Sequence, residues 1–185
     1  MRRFVSASLL AAAALLAPAG AGAQEGLAAE ERTARYFDSI REDPSRVLVF
    51  LRRMPKGGDL HSHLSGAVYA ESYIGWAAEA GLCVSTQTLG LTPAPCDSAA
   101  GRVPAARALQ SSGLYGQLVD AWSMRNWHPA RRNGHDQFFD TFGRFGPATE
   151  GRTGEMLAEA ASRAAGGRVS YLELMLTPDG GAVAA

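Results

Sequence analysis

Two segments of this chain alternate in a way that only extended backbone can use, and the stretch between them limits the fold. Residues 168–177 read RVSYLELMLT, in which Val169, Tyr171, Glu173 and Met175 alternate with Ser170, Leu172, Leu174 and Leu176. Side chains two apart in a strand share a face, so the segment predicts a strand with one apolar and one mixed face. A shorter strand is predicted at residues 59–64, bounded by Gly57-Gly58 and by Gly66. The residues between them carry helical patterns, and strands separated by helices imply a parallel α/β arrangement. A closed eight-stranded α/β barrel takes ~250 residues and rarely fewer than about 200. A chain of 185 residues is too short to hold its own complete barrel.

The helical patterns are placed by their caps. Residues 30–41 suggest a short amphipathic segment. Asp43-Pro44 then opens a helix, a capping carboxylate followed by proline at the first helical position. Val47, Leu48, Phe50 and Leu51 give that helix an apolar face, and Pro55 should stop it near Arg53 or Met54. A helix over 69–80 should end at Gly81-Leu82, with the glycine left-handed. Residues 82–133, with Pro93, Pro95, Pro104 and Pro129, form a poorly patterned insertion containing one helix near 107–123. Trp122, Trp127 and Tyr115 read there as buried packing residues. Helices follow at 135–145, with Phe138, Phe139, Phe142 and Phe145 on one face, and at 150–165, which ends at Gly166-Gly167.

The start of the chain reads as an address. Arg2 and Arg3 precede an apolar run from Phe4 to Ala17, and Ala21-Gly22-Ala23 is a small-residue cleavage site before Gln24, the pattern of a secretory signal peptide over residues 1–23. A membrane anchor is the alternative, but the uninterrupted apolar run falls short of the ~20 residues a spanning helix needs. The division expected is therefore a signal peptide, a helical segment over 24–53 and an α/β part over 54–185, secreted or periplasmic and with no membrane association after cleavage. The chain holds 18 basic and 18 acidic residues; without Arg2 and Arg3 there are 16 against 18, a charge of about −2. Nothing there supplies the clustered basic face that nucleic-acid binding requires. In an oxidising compartment two nearby cysteines usually pair, so Cys83 and Cys96 are read as a disulfide closing a loop of about 14 residues. Their spacing matches no zinc motif.

Chemistry is concentrated at His61-Ser62-His63. On a strand, both imidazoles project from one face and can grip one ion, and imidazole is a good ligand for zinc and related metals. Leu60, Ser62 and Leu64 should point the other way, mostly into packing. The bare pattern also fits two surface or hydrogen-bonded histidines.

Its surroundings decide between the two. Met54-Pro55-Lys56 followed by Gly58-Asp59-Leu60-His61-Ser62-His63-Leu64-Ser65-Gly66-Ala67 closely resembles the opening of the adenosine deaminase family, a proline-lysine pair and then L-H-x-H-L-x-G. The M-P-K-G opening and the export signal look more like its secreted, growth-factor-type branch. Residues 138–142, FFDTF, resemble the helix that lines the pocket mouth in that family. Residues 169–174 resemble its second barrel strand. The likeness spans roughly residues 47–178, apart from the insertion at 82–133. It implies the N-terminal part of a (β/α)8 TIM-type barrel, about two of eight strands, preceded by helices. It implies Zn2+ as cofactor with His61 and His63 as ligands, His63 also lying against a purine nucleoside substrate. It implies a hydrophobic lip of Phe138, Phe139 and Phe142 beside the purine; Phe145 is read as core, and Phe138 and Phe142 equally as core or lip. Glu173 is read as a buried, hydrogen-bonded structural carboxylate rather than an acid or base. Ser65 stands where family members often carry an aspartate that contacts the ribose, which leaves the nucleoside open.

The reaction implied is hydrolytic deamination of adenosine or a related purine nucleoside to inosine and ammonia, with zinc generating hydroxide at neutral pH. The family's later zinc-binding histidine and aspartate, its H-A-G-E glutamate and its water-orienting histidine have no counterparts here, since no histidine follows His135. No catalytic residue is therefore assigned, and the chain alone is expected to be inactive. Another metal-dependent amidohydrolase and a non-catalytic exported protein are the rival readings. Export through the signal predicted here should leave Gln24 as the first residue of the mature protein; N-terminal sequencing that begins at Met1 would overturn the cleavage assignment.

Overall fold

The computed structural model describes residues 21–176, and the apolar run of the predicted signal peptide lies outside them. The chain divides at Arg53 into two compact units. The first consists of α1 (Ala21–Ile40) and α2 (Pro44–Arg53). Helix α1 begins well before residue 30 and runs through the predicted cleavage site. The Asp43 cap forms as its sequence requires: Oδ1 accepts the amides of Ser45 at 3.0 Å and Arg46 at 3.2 Å. The two helices meet through rings, with Phe37 and Tyr36 lying 5.2 and 6.1 Å from Phe50. No helix among the described residues is long and apolar enough to cross a membrane.

The second unit, from Met54 onward, is mixed α/β. Strand β1 (Gly57–His63) pairs in parallel with the last strand, β5 (Val169–Met175). Between them run α3 (Leu64–Ala67), α4 (Ala70–Glu79), three short strands, α5 (Ser112–Ala121), α6 (Gly134–Phe145) and α7 (Thr153–Gly166). The short strands, β2 (Cys83–Ser85), β3 (Leu91–Thr92) and β4 (Arg102–Pro104), form an antiparallel sheet with β2 at its centre. There is no closed barrel among the described residues.

The core sits under α4. Its Ala70, Tyr73, Ile74 and Ala77 fall at helical spacing and are all buried. Tyr73 stacks on Phe145 at 4.3 Å with the rings 8° from parallel, and Leu118, Val84, Met156 and Ala160 close around them. Gly81 takes φ +66° and ends α4, which glycine does without steric cost.

The insertion holds more order than its composition indicates. Strands of two or three residues are too short to show alternation. What orders them is a disulfide between Cys83 and Cys96, Cα atoms 5.4 Å apart, together with the Trp122 indole, which donates to the Leu89 carbonyl at 2.6 Å. The single helix expected over 107–123 is broken: a 3-10 segment (Ala105–Gln110) ends at Ser111, whose hydroxyl caps α5 by accepting from the Leu114 amide. Trp127 is not buried as expected. It lies on the loop after α5, packs its ring over Gly134 and donates to the Arg132 carbonyl at 2.8 Å.

The two-stranded sheet has one covered and one open face. Leu174 packs against the core on the side of α7, whereas Tyr171 and Met175 on the other side are 56% and 45% exposed. Glu173 is accordingly exposed rather than buried, accepting from the Tyr171 hydroxyl at 2.8 Å. Leu60, expected to face packing, is 66% exposed, because the strand register slips before it can turn inward. The Cys83–Cys96 link closes a loop of the length for which chain entropy gives roughly 3 kcal/mol. Replacing both cysteines by alanine should lower urea-unfolding stability by about that amount, and an unchanged midpoint would show that the link adds no stability.

Candidate functional site

The histidine pair is placed by a bulge. Register runs from Asp59 beside Leu172 to Ser62 beside Leu174, three steps on β1 against two on β5. Asp59 promotes this by turning its own carboxylate back, Oδ1 accepting the His61 amide at 3.2 Å. The extra residue puts Ser62 on the covered side, beside Leu174, and His63 beside Met175 on the open side. The His61 and His63 rings lie with centroids 5.2 Å apart and planes at 72°. A tetrahedral ion held by two imidazole nitrogens at about 2.0–2.1 Å sets ring centroids about 5 Å apart, a separation this pair matches. Both histidines are exposed, and among the described residues no set of three histidine, cysteine, aspartate or glutamate side chains is assembled for a metal.

The chain passes directly from His63 into α3, and there a cavity of about 670 Å3 opens. Its walls come from Ser65 and Gly66 of α3, from Tyr69 and Glu71 at the start of α4, from residues 122–125 after α5, and from Phe138, Thr141, Phe142 and Phe145 of α6. Gly66 faces the Phe142 ring, where a Cβ would stand 3.6 Å from its nearest atom. Phe138, Phe142 and Phe145 recur at intervals of four and three, one helical stripe turned to the cavity. Phe139 is set about 100° away on such a helix. It is 57% exposed, lies outside the cavity lining and packs on His135 and edge-on against Phe138. Phe145 is both core and cavity floor. The cavity therefore gathers Ser65, Phe138 and Phe142, whereas His63 lies outside its lining.

Two ion-pair clusters hold the walls. Glu159 of α7 accepts from the Tyr69 amide at 3.0 Å, the Ser72 hydroxyl at 2.5 Å and Arg163 Nε at 3.0 Å, which ties α7 to the first turn of α4. Burial pushes its carboxyl up, but these three donors more than offset that and leave it below the usual range. The Arg163 guanidinium lies over the Tyr69 ring at 3.1 Å, with Arg125 at 5.5 Å from the same ring. On α6, Asp140 pairs with Arg132 and with Arg144, the latter at 3.6 Å, and the Arg132 hydrogen bond holds its carboxyl low. Tyr73 donates to the Ser65 carbonyl at 2.7 Å, and burial pushes its hydroxyl well above the ordinary value, so it remains a donor.

Several wall residues have no signal in the sequence. Met124 and Arg125 lie in a loop whose path depends on tertiary bonds, the Gln137 amide donating to the carbonyls of Asp120 and Ser123 at 3.0 and 3.2 Å. Glu71 is an ordinary acidic residue in a first helical turn. Trp122 was readable as buried, but not as a cavity wall. Comparison with family models, with curated proteins and with solved structures returns no match, so the likeness to deaminases rests on the residues quoted above.

Because the Glu159 carboxyl titrates below the ordinary glutamate range, the unfolded chain binds more protons in the acid range. Its contribution is complete above the unfolded pKa and is lost as pH falls through the folded one. Glu159→Gln should lower stability near pH 7 and flatten the loss of stability on acidification; parallel acid-unfolding curves for the two proteins would refute the coupling.

Proposed function

We propose that this chain carries the metal-anchoring and purine-facing part of a zinc-dependent hydrolytic deaminase of the adenosine deaminase type, built on the opening strands of a (β/α)8 barrel and working outside the cytoplasm. The observation that carries the reading is the placement of the His61 and His63 rings side by side at 5.2 Å, immediately ahead of an aromatic cavity. The parallel pairing of β1 with β5 is the pairing that adjacent barrel strands need. A disulfide among the described residues suits an oxidising compartment.

The roles follow from the chemistry of the groups. His61 and His63 would hold the ion. When bound, zinc supplies a Lewis acid and a water acidified to about neutral pH. Phe138 and Phe142 can cover the face of a purine ring, and the Ser65 hydroxyl can bond a hydroxyl of the substrate. Two imidazoles are half of a four-ligand site, and the family's ring-protonating glutamate has no counterpart in these 185 residues. The chain as it stands is accordingly expected to bind metal without turning over nucleoside. Deamination is expected only where the missing ligands are supplied.

Calorimetric titration with zinc tests the reading. The protein should bind one ion per chain, and His61→Ala or His63→Ala should weaken binding at least about tenfold. Affinity unchanged from the unaltered protein in both variants would remove the metal site and with it the deaminase assignment. Tight purine-nucleoside binding with no metal dependence would favour a non-catalytic exported binding protein instead.

A further inference from the structure

The cavity wall contains one carboxylate and one guanidinium, Glu71 and Arg125, and each holds the other. Arg125 donates twice, Nη1 to Oε1 and, at 2.9 Å, Nη2 to Oε2. This hydrogen bond keeps the Glu71 carboxyl ionised, below its ordinary range. Their side chains remain 34% and 42% exposed, within reach of a ligand in the cavity.

Other polar groups of the wall are turned inward. The Ser123 hydroxyl donates to the Val119 carbonyl at 2.6 Å, Thr141 Oγ1 to the Phe138 carbonyl at 2.6 Å, and the Trp122 indole to Leu89. Polar recognition of a ligand therefore falls on Ser65, on the Tyr69 hydroxyl and on the Glu71–Arg125 pair, of which only the pair carries charge. A carboxylate that accepts one N–H on each oxygen has lone pairs left for hydroxyl donors, and a guanidinium has five donors, of which Glu71 takes two. A pair of this kind fits a group that both donates and accepts hydrogen bonds, as adjacent sugar hydroxyls do. It fits a phosphate poorly, because the anion would meet the Glu71 charge even where it takes the donors that Arg125 has left.

We propose that Glu71, braced by Arg125, accepts the sugar hydroxyls of a ligand whose ring lies against Phe138 and Phe142, and that the pair selects neutral nucleosides over phosphorylated ones. The proposal rests on the purine-nucleoside reading given above. It also accounts for an uncharged Ser65: the carboxylate comes from the first turn of α4 instead of from α3.

Equilibrium binding of adenine, adenosine, 2′,3′-dideoxyadenosine and adenosine 5′-monophosphate to the full chain tests this. Adenosine should bind at least about tenfold tighter than adenine or the dideoxy analogue, as expected for hydrogen bonds to a charged group. The monophosphate should bind more weakly than adenosine. Glu71→Gln should cut the advantage of adenosine over adenine to about threefold or less and leave adenine unchanged; the comparison among ligands on the unaltered protein stands even if that variant does not fold. Equal binding of adenosine and its dideoxy analogue, or tighter binding of the monophosphate, overturns the role of Glu71 while the purine reading stands. Failure of all four ligands to bind overturns the purine reading and this inference together.

Discussion

The parallel contact between β1 and β5 is the constraint on which the second unit depends. It joins the residues just after the N-terminal helices to the last described strand, and all the intervening chain has to return in order to make it. Such a contact is non-local, and its closure entropy is met before any of its hydrogen bonds form. What meets that cost is the core beneath α4, where Tyr73, Ile74 and Ala77 are wholly withdrawn from water. The Lys56 amide donating to the Arg168 carbonyl at 2.9 Å extends the contact one step beyond the strand. Arg168 sits there at φ +61°, the turn that swings the chain from α7 into β5.

From that pairing the site follows in a few residues. The bulge at Asp59 to Ser62 settles which side of the sheet the imidazoles occupy, and α3, starting at once after His63, carries the backbone to the cavity wall. Helix α6 is brought to the opposite wall by Gln137 and by Arg144, which donates to the Ala121 carbonyl at 3.0 Å. Tyr69 is held by a carboxylate on α7, which accepts its amide, and by the guanidinium groups of Arg163 and Arg125 near its ring. The chemistry thus rests on side chains far apart in sequence that converge through tertiary packing.

That dependence explains how much was legible beforehand. Both long strands, the Asp43 cap, the Gly81 stop and the stripe of Phe138, Phe142 and Phe145 show in periodicity or capping, which are local properties. Leu60 was misplaced because a bulge reverses the parity of every residue on one side of it, and only the partner strand reveals a bulge. Phe139 was misplaced because four phenylalanines in eight residues look like one face, whereas the helical angle separates one of them. Strands β2 to β4 were missed because their order comes from a cross-link and an indole donor, not from a repeating pattern. Glu71 and Arg125 were missed because a charged residue gains meaning in a cavity only once its partner across the wall is known.

The open side of the two-stranded sheet has a consequence of its own. Leu60, Tyr171 and Met175 lie bare on a ribbon that, among the described residues, has no third strand at either margin. Parallel ribbons are ordinarily sandwiched, and bare ones are sticky. Wherever this strip stays uncovered, it is a stretch of the described surface on which a second extended segment could pair or aggregate.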